Sequence, residues 1–187
     1  MDLDRQAFQR CGAQLVLQAA SPEDLQTITA LTDSSALDGP GRRLSAPPAG
    51  LVRELVKPGG LADIASHLEG EPLRPVRLLV FDKSAQSNWA VGWHQDRVLP
   101  LETKCILPGF DRWTTKAEIP HVEPPEWLSR RMVTIRLHLD DCGPENAPLK
   151  VIDGSHALGR LSDDRVKTAR AAGKQTVFCA RSGDALA

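Results

Sequence analysis

From Val133 to Asp140 the chain alternates without a break: Val133, Ile135, Leu137 and Leu139 are apolar, while Thr134, Arg136, His138 and Asp140 are polar or charged. A period of two is the signature of a strand with one apolar and one polar face, and no helix can present it. The β-rich runs Arg77 to Phe81, Leu149 to Ile152 and Gln175 to Ala180 read as further strands. Between the first two of these runs, Pro100, Pro108, Pro120, Pro124 and Pro125 exclude long helices and central strands over residues 97–131. An irregular connection of that length is typically a lid or an insertion. Trp113 and Trp127 can anchor it, which favours an ordered lid.

Helical signals crowd into the first third. Asp4 to Cys11 forms a short helix broken by Gly12, and Leu15-Val16-Leu17 is a first strand. Ser21-Pro22-Glu23-Asp24 opens a second helix, with Ser21 as cap, Pro22 in the first turn and two acids at the positive end of the dipole. Leu51 to Val56 and Leu61 to Leu68 are two more, parted by Pro58-Gly59-Gly60, and Asp163 to Ala172 is a late one. The expected class is mainly β with flanking α-helices.

The 187 residues suit one domain, with 1–70 as mostly helical support and 74–187 as the strand-rich body. A net charge of −1 gives no electrostatic reason to expect nucleic acid or an anionic membrane. No apolar run approaches the roughly 20 residues of a bilayer span, and the first residues are polar, so a soluble, cytoplasmic protein acting on a small molecule is expected. Cys11, Cys105, Cys142 and Cys179 form no Cys-x-x-Cys pair and read as buried, reduced thiols.

Two places pair an imidazole with a carboxylate at a spacing of two: His94-Gln95-Asp96 and His138-Leu139-Asp140. On a strand, residues i and i+2 share a face, and two donors so placed supply two-thirds of a facial two-histidine, one-carboxylate iron(II) site. Spacing does not choose between the pairs.

A set of short motifs in order resembles the phytanoyl-CoA dioxygenase family of iron(II)- and 2-oxoglutarate-dependent oxygenases. The matching pieces are Phe81-Asp82-Lys83-Ser84, Trp93-His94-Gln95-Asp96, Leu137-His138-Leu139-Asp140-Asp141, Pro144-Glu145-Asn146-Ala147-Pro148-Leu149, Gly154-Ser155-His156 and Ser182-Gly183-Asp184. The family commonly has Gly near Ala147 and Pro near Asp153. The resemblance implies a double-stranded β-helix, a jelly-roll or cupin-like barrel, with Fe(II), 2-oxoglutarate and O2 as cofactor and co-substrates.

It implies His94 and Asp96 as metal ligands, His138 in a core strand and a structural His156, with a distal histidine expected beyond Ala187, where the final strands would lie. It places Leu79 against the co-substrate, with Arg43 and Lys83 as basic candidates nearby; each also reads as an ordinary solvated side chain. Arg136, on the polar face of the alternating strand, is a further candidate for the distal carboxylate, which a guanidinium fork matches. Trp93, Gln95 and His121 are candidate substrate or lid contacts, with His121 also readable as a plain surface histidine.

The activity implied is hydroxylation of an unactivated C–H bond coupled to decarboxylation of 2-oxoglutarate to succinate. Halogenating relatives lack the carboxylate that Asp96 supplies. Two other classes compete: a non-catalytic barrel that binds a small molecule or partner, and a cupin-like metalloenzyme that does not use 2-oxoglutarate.

Overall fold

The computed structural model describes residues 2–33, 41–44, 46–82, 91–116 and 118–187. Asp4 opens α1 (Arg5–Cys11), its carboxylate accepting the Ala7 N–H at 2.8 Å and filling a donor that every helix start leaves bare. Gly12 ends α1 at a φ of 78° and turns the chain into β1 (Leu15–Val16). Ser21 and Asp24 cap α2 (Pro22–Asp33) reciprocally: the Asp24 N–H donates to Ser21 Oγ at 3.1 Å, and the Ser21 N–H to Asp24 Oδ2 at 3.2 Å. After β2 (Gly41–Arg43) come α3 (Ala49–Val56) and α4 (Leu61–Glu69), separated by the Pro58-Gly59-Gly60 turn. Lys57 ties α2 to α3 by ion pairs with Asp24 and with Glu54, and these bonds push its ammonium up to about 12.

The buried centre lies between β1 and α4. Val16, Ile64 and Leu68 are 0–1% exposed, with Phe8, Leu61, Ile135 and Ala187 packed against them. β3 (Leu79–Phe81) pairs antiparallel with β2. β4 (Leu99–Pro100), β5 (Asp111–Lys116) and β6 (Ile119–Glu123) form a sheet in the order β4-β6-β5, followed by α5 (Glu126–Ser129). β7 (Arg136–Leu137) precedes β8 (Leu149–Ile152), which pairs with β9 (Gln175–Phe178) across α6 (Asp163–Ala172). The last strand, β10 (Ala185–Leu186), lies between β1 and β7.

Several expectations change. Among the described residues more lie in helices than in strands, and the strands make four antiparallel sheets of two or three members without a closed barrel. Closure requires every strand to have two partners, and only β6 and β10 have them here. The alternating run from Val133 becomes a strand only at Arg136–Leu137. Alternation sets which way side chains face but supplies no partner, and β10 is two residues long.

Residues 97–131 are more regular than their prolines suggested, and Pro120 even sits in a central strand. It is tolerated because it lies second in β6, pairs with Thr115, and still offers its carbonyl to the Leu101 N–H at 2.9 Å. The cysteines are not buried: Cys105 and Cys179 are exposed, and Cys11 and Cys142 partly so. No helix among the described residues is long and apolar enough to cross a membrane.

Both departures from the family pattern have a local account. Ala147 adopts φ 50° and ψ 61°, the left-handed conformation that strains any residue with a Cβ. Ala147→Gly is expected to raise stability by about 0.5–1 kcal/mol, relief of strain outweighing the added freedom of the unfolded chain; a urea midpoint at or below the parent's refutes it. Asp153 spends the N–H that a proline would lack on the Lys174 carbonyl at 2.9 Å. Its carboxylate accepts from Thr176 Oγ1 at 2.7 Å and lies 3.1 Å from Lys174 Nζ, contacts that lower its pKa.

Candidate functional site

Residues 91–98 belong to no strand, so His94 and Asp96 are not presented by a β-ladder as their spacing suggested. Exposed Val91 and Gly92 lead in, and the described residues offer no neighbouring backbone to pair with this stretch. The two donors meet all the same: His94 Nε2 lies 3.8 Å from Asp96 Oδ1. The ring's other nitrogen, Nδ1, is 2.7 Å from the Gly92 carbonyl. A carbonyl only accepts, so Nδ1 carries the proton and, in the neutral ring, Nε2 keeps its lone pair. Thr134 Oγ1 donates to Asp96 Oδ2 at 3.3 Å, leaving Oδ1 on the histidine side. The two side chains remain 53% and 43% exposed, so a third partner can reach them.

This chemistry fits a metal ion. Nitrogen and oxygen bonds of about 2.1 Å meeting near a right angle set their donors about 3.0 Å apart, so the 3.8 Å pair has to draw together by just under 1 Å to share one ion. A backbone carbonyl on the far ring nitrogen is the usual orienting partner of a metal-bound histidine. No group of three or more His, Cys, Asp or Glu side chains among the described residues makes a complete cluster.

The rival pair behaves differently. His138 is partly buried, its N–H donates to the Asp184 carbonyl at 2.9 Å, and its carbonyl accepts from Gly183. Burial lowers its pKa. Asp140 is exposed, and no close approach among the described residues joins it to His138. His156 is taken up structurally: Nε2 lies 3.0 Å from the Gln9 carbonyl, and the ring sits where a Cβ on Gly12 would fall 2.2 Å from Nδ1.

The remaining candidates are scattered. Arg136 is exposed on β7, opposite Leu186. Leu79 is partly buried on β3 and pairs in register with Arg43; Lys83 lies outside the described residues. Trp93 is partly buried under α6, with the Arg170 guanidinium 6.0 Å from its ring centroid. Gln95 turns its amide onto the 159–161 loop. His121 is no surface residue: it is 0% exposed in β6, with Nδ1 2.9 Å from the Ile119 carbonyl, because β6 is the middle strand of its sheet.

Sequence reasoning overlooked Thr134, although it stood on the same polar face as Arg136 and His138. A cleft of about 240 Å³ between β8 and α6, lined by Ile152, Leu158, Ala169 and Ala172 among others, shares no residue with the His94–Asp96 pair.

A family model described as phytanoyl-CoA dioxygenase matches residues 46–186, about three-quarters of the sequence and including both donors. The chain belongs to the phytanoyl-CoA dioxygenase family. Membership implies Fe(II) and 2-oxoglutarate, with O2 as the usual co-substrate, and a small-molecule substrate.

Three solved structures are similar in fold. AviO1 from Streptomyces viridochromogenes Tue57 shares 18% identity at a TM-score of 0.53, over 100% of this chain and 84% of that one. The non-heme alpha-ketoglutarate-dependent epimerase SnoN of nogalamycin biosynthesis shares 16% at 0.56, over 97% and 69%. The carbocyclase SnoK of the same biosynthesis shares 14% at 0.58, over 97% and 71%. The curated proteins contain no match.

Proposed function

We propose that this family member is an iron(II)- and 2-oxoglutarate-dependent dioxygenase that hydroxylates an unactivated C–H bond of a small molecule. The observation that carries the reading is the convergence of His94 Nε2 and Asp96 Oδ1 at 3.8 Å, each with its second heteroatom already engaged. In this reading His94 and Asp96 hold the metal, and a distal histidine beyond Ala187 completes the triad. Iron held there would let dioxygen serve as the oxidant, with 2-oxoglutarate as the co-reductant that is decarboxylated to succinate and carbon dioxide.

The chain's own residues orient and enclose. Gly92 and Thr134 fix the ring and the carboxylate. Arg136, two residues along from Thr134, is our candidate for the distal carboxylate of 2-oxoglutarate, since residues at that spacing in extended chain share a side. Arg43 and Lys83 are the basic alternatives, Leu79 a wall of the co-substrate site, and Trp93 and His121 members of the substrate side. The double-stranded β-helix is the architecture that we propose for the complete site.

The test is anaerobic addition of iron(II) and 2-oxoglutarate to this chain and to a version continued past Ala187, watching for the weak visible charge-transfer band. A band followed by one succinate per turnover on admitting oxygen is the expected result. A metal-bound protein with no band points to a metalloenzyme that does not use 2-oxoglutarate. No metal binding in either version points to a non-catalytic binding domain.

A further inference from the structure

Among the described residues no strand pairs with residues 91–98, and side-chain hydrogen bonds hold the proposed metal pair in place instead. The side chain of Gln95 meets that need. Its Nε2 donates to the Gly159 carbonyl at 2.9 Å, and its Oε1 accepts the Leu161 N–H, also at 2.9 Å. One amide thus pairs with the peptide groups on either side of Arg160, as a peptide unit of a neighbouring strand would. Arg97 closes the arrangement, donating to Gln95 Oε1 at 3.2 Å and to the Leu161 carbonyl.

The loop that Gln95 grips is itself anchored. Leu161 is 4% exposed, and Arg160 NH1 lies 3.0 Å from Oε2 of Glu123, a carboxylate 8% exposed on β6. Gln95 is half-buried between exposed His94 and Asp96, so its side chain faces the protein while its two neighbours face outward. Fixing the amide on one side therefore fixes the direction of both donors on the other.

We propose that Gln95 is the positioning residue of the metal pair, acting through the 159–161 loop rather than by touching substrate. The proposal rests on the reading of His94 and Asp96 as metal ligands. Loss of a group that hydrogen-bonds a ligand directly typically weakens metal binding by about 10–100-fold; Gln95 acts one contact further out, so the lower end of that range is expected. The same loop carries Arg160 to Glu123, so the β4-β6-β5 sheet and the metal pair share one anchor.

The experiment titrates Mn(II) under argon into the full chain and follows broadening of the His94 ring protons by NMR, which reads weak as well as tight binding; His94→Gln assigns the signals. Gln95→Leu is expected to weaken Mn(II) binding about tenfold. The milder Gln95→Asn, too short to reach both peptide groups, does the same should the leucine variant fold poorly. Gln95→Glu still accepts from Leu161 and Arg97 but sets a carboxylate oxygen against the Gly159 carbonyl, and is expected to bind more weakly than the parent and more tightly than Gln95→Leu.

A purely structural role would lower the thermal midpoint and leave the affinity of the folded protein untouched. Gln95→Leu and Gln95→Asn binding like the parent, while Asp96→Ala does not bind, would overturn the positioning role and spare the metal-pair reading. Broadening that survives in Asp96→Ala, or is absent from the parent, removes that reading and this inference with it.

Discussion

If His94 and Asp96 hold the metal as proposed, Asp96→Ala is expected to lose iron(II) binding by more than the roughly 10–100-fold that follows loss of a ligand's hydrogen-bond partner, and with it the 2-oxoglutarate band. The variant removes one of two converging donors and leaves His94 Nε2 facing a void, while Thr134 loses its acceptor. Both side chains are close to half exposed, so the overall stability should change little. Asp140→Ala is the matched control: it belongs to the other His-x-Asp pair and lies on an exposed stretch that makes no approach to its histidine. Anaerobic calorimetry separates the two. Equal iron(II) affinity in the parent and Asp96→Ala, or a loss in Asp140→Ala instead, would mean that the wrong pair has been assigned.

Asp184→Ala unfolds the protein more readily, by about 2–5 kcal/mol. The carboxylate is 5% exposed and accepts two backbone N–H groups, Gln18 at 2.9 Å through Oδ1 and Arg181 at 2.8 Å through Oδ2. Those bonds close the turn before β10 and fasten it to the chain leaving β1. Alanine leaves both donors without this acceptor in a part-buried turn, each costing about 1–3 kcal/mol. The sum is a large part of the 5–15 kcal/mol typical of a domain. Asp184→Asn keeps one acceptor and should fall about midway. Urea unfolding followed by tryptophan fluorescence measures both; an alanine variant within about 0.5 kcal/mol of the parent would show that the turn does not depend on this carboxylate.

Much of the scaffold was legible in the chain. Ser21 announced its helix because capping is a contact between residues three apart, and Gly12 marked the end of α1, although the cap that Asp4 gives it came only with the structure. Pro58-Gly59-Gly60 parted α3 from α4 for similarly local reasons. The order of the family motifs pointed to the family that the match over 46–186 shows. The sheets were less legible. Pro120 looked disqualifying for a central strand, yet one missing N–H is harmless where the neighbour asks only for a carbonyl. His121 looked like a surface residue because burial of β6 depends on strands far from it in sequence.

The proposed metal pair divides in the same way. The sequence by itself determined that His94 and Asp96 stand two apart in a family-typical motif, because spacing and residue type are properties of the chain. Only the tertiary structure decided that this pair converges while His138 and Asp140 do not. Convergence depends on Gly92 turning the ring, on Thr134 reaching across 38 positions to Asp96, and on the 159–161 loop gripping Gln95 from more than 60 positions away. Hydrogen bonds between distant segments cost chain entropy that only the folded core repays, so no local pattern announces them.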